Sequence, residues 1–399
     1  MELRKPFRFA MFVLASYNSF FFFEIVMAEN LSPIVMKFGG TSLRDESCRE
    51  SALTHVKRYA EAGERIVVVV SAMGRKGEPY STDTLVNLLK EVGPNVCPRE
   101  LDLIMSVGES ISSAFFTHLL SQNGLDAISF NGRQAGILTD DNAGNADILE
   151  INPARIIEAL DEGNIAVVAG FQGVNDRGDI RTLGRGGSDT SAVALAAALE
   201  AEKVEIFSDV DGIANCDPRL VSGSKYLASI SVDQMLAMAD EGSRVIHPRA
   251  IKASLKTNTP IVVRNTFSDL PGTLIHHDQS LDKKRVAIAH REGMVLVECE
   301  YNHDAKTDVD GVVKIDSRRV LLRDDAYLSG KLSQLEENFG FYKLSRNWAT
   351  ASVVFNSKHP KASELDYAEL LDSSKNIISY LLKEPRIRET LNFLHAKYT

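Results

Sequence analysis

Residues Gly170 to Arg219 read GFQGVNDRGDIRTLGRGGSDTSAVALAAALEAEKVEIFSDVDGIANCDPR. The order is strand, polar hairpin, glycine-rich turn, helix, strand and acidic loop. The turn Gly184-Arg185-Gly186-Gly187-Ser188-Asp189 opens directly onto Thr190 to Glu202, an Ala/Leu-rich run with helix-forming composition. Ser188 and Asp189 are expected to cap that helix. Glycines let a ligand approach the backbone, and the unpaired N–H groups of a first helical turn favour an anion. By itself such an element is more often only a turn than a phosphate site.

A second element, Pro33-Ile34-Val35-Met36-Lys37-Phe38-Gly39-Gly40-Thr41-Ser42, favours the phosphate. It is a short apolar strand that delivers a lysine and two glycines at its carboxyl end, where ligands of open α/β sheets collect. A lysine there can follow charge onto a moving phosphoryl group, with Gly39 and Gly40 allowing backbone amides near its oxygens.

Around these two elements strands and helices alternate. Asp45 to Ala62 has the pattern of an amphipathic helix, and Arg65 to Ala72 (RIVVVVSA) that of a buried parallel strand. A polar loop, Met73 to Ser81, leads to a helix LVNLLKEV capped by Thr82-Asp83. Another helix, Arg99 to Asn123, contains Ser106-Val107-Gly108-Glu109-Ser110. Strands are expected at Asp126 to Phe130, Ile165 to Ala169 and Pro260 to Arg264, with helices after Pro153, at Ser231 to Asp240 and at Arg249 to Lys256. Asn131 to Asn145 and Asn175 to Arg181 look like hairpins over the sheet edge. The pattern predicts a three-layer α/β sandwich with a mostly parallel sheet, a catalytic domain over residues 31–280.

Beyond a charged linker at 279–285 the texture changes. Over 286–399 short strands (Met294 to Cys299, Val312 to Ile315, Ala351 to Phe355) alternate with expected helices (Ala326 to Phe339, Leu365 to Leu382, Pro385 to Lys397). This predicts a smaller α+β unit without evident chemistry of its own. At the other end, Phe7 to Met27 superficially resembles a signal sequence, but Asn18, Ser19 and Glu24 interrupt it. The expectation is an extension, residues 1–30, outside the fold, with translation starting at Met27.

The 399 residues are 44% apolar and 25% charged, the balance of an ordinary soluble protein, and the net charge of −9 argues against a nucleic-acid partner. No membrane partner is expected. Cys48, Cys97, Cys216 and Cys299 form no CxxC pair, so disulfides and a zinc site are not expected and a cytoplasmic location is. His276-His277 reads as a surface loop. The chain lacks GxxxxGK[ST] and HRDxxxxN with DFG, which excludes P-loop and protein-kinase readings, and the lack of a GxGxxG after the first strand disfavours a dinucleotide-binding one. Two glycine-rich strand ends, a lysine, an arginine and several carboxylates without a nucleophilic triad point to phosphoryl transfer.

These motifs together resemble the aspartate kinases of the amino-acid kinase family. Lys37-Phe38-Gly39-Gly40-Thr41-Ser42 resembles the opening signature and Ser106-Val107-Gly108-Glu109 the acidic helix motif. Thr182 to Asp189 resembles the central glycine motif, and Asp209-Val210-Asp211-Gly212 with Asp217-Pro218-Arg219 the nucleotide loop. The loop SAMGRKGEPYSTDTL resembles a Gram-positive, homo-oligomeric class, and the likeness runs from Ile34 to Ile275. It implies ATP and Mg²⁺ as cofactors, L-aspartate as substrate and a homo-oligomer. It implies that Lys37 contacts the transferring phosphoryl group with Gly39 and Gly40, that Asp189 organises the site around Lys37, and that Ser188 lies beside the substrate. Glu109 would pair with the substrate ammonium, Arg185 would hold its α-carboxylate and Thr82 would wall the pocket. Lys37, Gly40, Ser208, Asp209, Asp217, Arg219 and Arg244 would take the nucleotide. No metal-ligating residue is assigned.

Departures from the family pattern are Arg244 in place of a usual lysine, Ser208 for threonine, and Ala214-Asn215-Cys216 where a larger nucleotide-facing side chain is common. Ile288-Ala289-His290 resembles the start of an ACT module, yet the glycine-containing effector motif is not recognisable. The expectation is a divergent ACT-like region with weak or absent feedback by lysine, threonine or diaminopimelate. Two other readings stay open, a kinase for another carboxylate or carbamate and a catalytically weak regulatory or binding subunit.

Overall fold

Continuous runs of apolar side chains, buried on both faces of a sheet, build the centre of the molecule. In chain order the first elements are β1 (Ile34–Phe38), α1 (Glu46–Glu61), β2 (Ile66–Val70), α2 (Thr82–Val92), α3 (Pro98–Gln122) and β3 (Ala127–Phe130). Then come β4 (Ile137–Thr139), β5 (Ile148–Ile151), α4 (Ala154–Asp161), β6 (Ile165–Ala169), β7 (Gln172–Val174), β8 (Ile180–Thr182), α5 (Gly187–Ala198) and β9 (Val204–Ser208). β10 (Ser229–Ser231), α6 (Val232–Asp240), α7 (Pro248–Thr257), β11 (Ile261–Asn265) and β12 (Thr273–His276) follow. The computed structural model describes residues 32–278, 286–300, 312–324, 328–340, 342–356, 360–374 and 376–399. The expected N-terminal extension and the 279–285 linker lie outside the described residues, and Ser32 to Thr399 form one compact unit.

The main sheet has eight strands in the order β10-β12-β11-β9-β1-β2-β6-β3. Only the β11–β12 pairing is antiparallel. One face, with Val35, Val67, Val69, Val168, Ile206 and Val263, packs against α4 to α7; the other, with Met36, Phe38, Val68, Val70, Val167 and Phe207, packs against α1 and α3. Burial on both faces explains the near-continuous β-branched runs. The expected three-layer sandwich is what forms. The two polar excursions join as a separate sheet, β5-β4-β7-β8.

α3 is the one described helix long and apolar enough to cross a membrane. Here it buries Asp102 and Glu109 and inserts Phe116 and Leu120 between the sheet and α1.

The C-terminal part contains β13 (Val286–Cys299), β14 (Val313–Lys314), β15 (Arg319–Arg323), α8 (Leu328–Phe339), β16 (Tyr342–Phe355), β17 (Ala368–Ser374), β18 (Ile377–Lys383) and α9 (Ile387–Tyr398). Its strands form an antiparallel sheet in the order β14-β15-β13-β16-β18-β17. The expected helix at Leu365 to Leu382 is instead the β17–β18 hairpin. Ile378, Ser379, Tyr380, Leu381 and Leu382 are buried in succession, and a continuously buried strand carries no periodicity to separate it from a buried helix.

Three local expectations also change. α5 starts at Gly187, with Gly186 as N-cap at φ 71°, so Ser188 and Asp189 lie inside the first turn and do not cap it. A side chain at Gly186 would collide with His247, its Cβ falling 2.2 Å from the His247 Cβ. α2 has Ser81, not Thr82, as its N-cap. His276 is buried in β12 rather than in a surface loop, while His277 Nε2 lies 3.0 Å from Ser254 Oγ. The four cysteines are free, and Cys97, the N-cap of α3, is the exposed one.

Phe116 is 1% exposed and its ring centroid lies 5.9 Å from that of Phe38. Phe116→Ala is expected to lower unfolding free energy by about 3 to 5 kcal/mol, read from urea denaturation.

Candidate active site

The parallel strands β2, β1 and β9 lie side by side, and their carboxyl ends bring together segments far apart in sequence. Lys37 pairs in register with Val69 on one side and Ile206 on the other. The chain runs from β1 outward through β2, then returns to β9 on the opposite flank of β1, so the crevice beside β1 is a topological switch point. Gly39, Gly40, Ser208 and Asp209 follow at that end.

Lys37 Nζ lies 2.5 Å from Asp189 Oδ1, the two side chains being 11% and 13% exposed. Asp189 reaches it because the left-handed Gly186 starts α5 early and leaves the carboxylate in the first turn, aimed back at β1. Ser188 is buried beside it, packed close to Gly170 at the end of β6. Gly40 meets the loop after β2 so tightly that a Cβ there would lie 2.6 Å from the Ala72 carbonyl oxygen and 2.8 Å from that of Gly74. Gly39 N–H donates to the Phe207 carbonyl at 3.3 Å, so that amide is engaged within the sheet.

Glu109 comes from α3, 3% exposed, and its Oε1 accepts the Ala72 N–H at 3.0 Å. Burial pushes its carboxyl up to about 8, against the opposing pull of the Ala72 N–H and the Lys37 ammonium. Among the described residues Glu109 Oε2 has no hydrogen-bond partner. A buried carboxyl oxygen without a partner is an acceptor that a cationic ligand could satisfy. Thr82 opens α2, half-buried, and Arg185 is exposed in the glycine turn.

Ser208, Asp209, Asp217, Arg219 and Arg244 all line one cleft of about 970 Å³. Lys37 and Gly40 are not among its lining residues and stand at the end of the neighbouring strand. Asp217 clamps Arg219: Nη2 and Nε lie 2.7 and 3.0 Å from its carboxylate oxygens, and the Arg219 N–H donates at 2.9 Å. Burial pushes the Asp217 carboxyl up, but these bonds outweigh it and hold it below the usual range.

Sequence reasoning missed several members of the site. Arg75, in the loop after β2, pairs with Asp209 at 2.7 Å across the cleft mouth. Arg249 braces the glycine turn, donating to the Leu183 carbonyl and, at 2.8 Å, to that of Ala146. Asp102, fully buried on α3, accepts from Thr182 Oγ1 and the Gly144 N–H. Tyr226, in an isolated bridge with Ala214, adds an aromatic wall to the cleft. The C-terminal unit, expected to carry no chemistry, lines the same cleft with Ile288, Ala289, His290 and Glu292.

A model of the amino acid kinase family matches residues 32–265. Over 250 residues, 62% of each chain, the sequence is 47% identical to aspartokinase 1 of Bacillus subtilis strain 168. It is 44% identical to an aspartokinase of Mycolicibacterium smegmatis over 414 residues, covering 92% of this chain and 96% of that one. The fold is similar to that of E. coli aspartokinase III in complex with aspartate and ADP, with a TM-score of 0.71 at 22% identity over 91% of this chain and 99% of that one. The chain spans less than two thirds, 62%, of the length of the Bacillus relative.

Glu109 makes a pH prediction. An acid whose folded pKa is raised binds its proton more tightly in the folded state, so ionising it costs stability. The penalty grows as pH rises from the ordinary glutamate range to about 8 and is fully present above that. Glu109→Gln is therefore expected to raise the melting temperature of the ligand-free protein at pH 9 and to leave it nearly unchanged at pH 4, measured by differential scanning fluorimetry.

Proposed function

The chain belongs to the amino acid kinase family, and from that premise we propose that it is an aspartate kinase. It transfers the γ-phosphoryl group of ATP to the β-carboxylate of L-aspartate, giving 4-phospho-L-aspartate and ADP. This is the first step toward lysine, threonine, methionine and diaminopimelate. The observation that carries the reading is the pairing of a largely buried Lys37–Asp189 couple with a buried Glu109 oxygen that no described residue satisfies.

An amino-acid substrate supplies what that site is missing. Its ammonium fits Glu109 Oε2, and Arg185 in the exposed glycine turn offers a guanidinium that grips a carboxylate in two places. Thr82 and Ser188 bound the pocket. The β-carboxylate is already an anionic nucleophile and needs no general base. Its oxygen forms the new bond to the γ-phosphorus as the bond to the β,γ-bridging oxygen breaks, and that oxygen leaves with the electron pair as part of ADP. Lys37 screens the approach of two anions, and Asp189 keeps its ammonium in place.

The nucleotide occupies the cleft lined by Ser208, Asp209, Asp217, Arg219 and Arg244, with Tyr226 as a face for the base. Mg²⁺ travels with the phosphates and water and needs only one or two protein carboxylates; Asp209, exposed in the cleft, would complete its shell and help neutralise the developing charge. The domain division proposed is a catalytic part at 31–280 and a divergent ACT-like part at 286–399. A homo-oligomer in the cytoplasm belongs to the same reading.

A coupled ADP-release assay with aspartate, glutamate and carbamate as acceptors tests it. Turnover is expected with aspartate alone. At an effective dielectric of about 20, a unit charge 4 Å away contributes roughly 4 kcal/mol, so Lys37→Ala should lower kcat by about three decades. Turnover that survives Lys37→Ala, or that prefers another acceptor, would refute the reading. In the same assay lysine, threonine and diaminopimelate at about millimolar concentration are expected to inhibit weakly or not at all. Strong inhibition would contradict the divergent character proposed for the C-terminal region.

A further inference from the structure

The loop that carries Asp217 and Arg219 belongs to two structures at once. Its polar side faces the cleft, while Cys216 and Val221, each 2% exposed, are embedded in the hydrophobic core of the C-terminal unit beside Ile288, Leu391 and Leu394. Main-chain pairing fixes one end, the Ile288 N–H donating to the Asn215 carbonyl at 2.7 Å.

Helix α9 fixes the rest. Arg388 Nη2 donates to the Arg219 carbonyl at 3.3 Å, and Asn392 Nδ2 donates to that of Leu220 at 3.4 Å. Asn215 Nδ2 lies 3.3 Å from His395 Nε2. The second loop of the cleft rests on the same unit. Gly242, at φ 114°, sits so close to β13 that a Cβ would lie 2.4 Å from the His290 carbonyl oxygen, two residues before Arg244.

We propose that β13 and α9 are working parts of the nucleotide site, with Arg388, Asn392 and His395 as positioning residues that hold the Asp217–Arg219 loop in its ATP-binding shape. The inference rests on the nucleotide reading of this cleft. Its basis is mechanical: a loop ordered before ATP arrives does not lose that conformational freedom on binding, so releasing it weakens nucleotide affinity. Aspartate, held by Glu109 and Arg185 on other elements, does not experience the change.

The test uses the full chain. The triple variant Arg388→Ala/Asn392→Ala/His395→Ala changes exposed or half-buried side chains and leaves the core intact. Its KM for ATP and its Kd for ADP by calorimetry are expected to rise about five- to tenfold, with KM for aspartate and kcat at saturating ATP within about twofold. His395→Gln, which keeps a hydrogen-bonding group, should recover most of the loss relative to His395→Ala. Leu335→Ala serves as control because it opens a cavity under α8 in a different cluster of the same sheet. An unchanged KM for ATP in the triple variant, or an equal rise in Leu335→Ala, would overturn the proposal. A wild-type chain that binds no ADP would instead overturn the nucleotide reading itself, and the two failures are distinguished before any variant is compared.

Discussion

The ion pair between Lys37 and Asp189 is the contact on which the part of the molecule that matches the family depends. Taking two opposite charges out of water is costly, and removing either partner leaves the other uncompensated. The pair therefore demands that β1 and the first turn of α5 meet with little tolerance. Gly186 starts the helix early enough, His247 stands where any side chain at that glycine would be, and Arg249 holds the preceding turn by its carbonyls. The phosphoryl transfer proposed for the site would be one consequence; the crowding of glycines around the sheet's carboxyl end is another.

A site assembled from buried charges is incomplete without its ligands. Burial holds the Glu109 carboxyl up at about 8 because the Ala72 N–H and the Lys37 ammonium only partly offset it, and in the proposed reaction a substrate ammonium would supply the remaining counter-charge. The protein thus stores part of the binding energy as an unsatisfied group. The exposed Arg75–Asp209 pair belongs to a different regime, since surface ion pairs contribute little and re-form easily around a new partner.

The main sheet was legible because its strands, buried on both faces, announce themselves as β-branched runs, and because glycine clusters at their ends have few other uses. Lys37 was legible at its glycine-rich strand end, whereas Asp189 and Glu109 were assigned to the site only through the family resemblance. The capping roles expected of Ser188 and Asp189 failed where chemistry competes with local propensity, since Asp189 is spent on Lys37. The β17–β18 hairpin was misread because its inner strand is buried at five successive positions and shows no strand alternation. Arg388, Asn392 and His395 carried no signal at all: they act on the cleft through contacts some 170 positions away in sequence, |i−j| being 169 for Arg388, and no spacing rule reaches that far.

The distribution of thiols has a practical consequence. Burial raises the pKa of Cys48 and Cys299 and takes Cys216 to about 12, so these groups stay as unreactive thiols at neutral pH. Cys97 is exposed at the head of the helix that bears Glu109. A maleimide dye would therefore attach at one place without any engineering, at the head of α3.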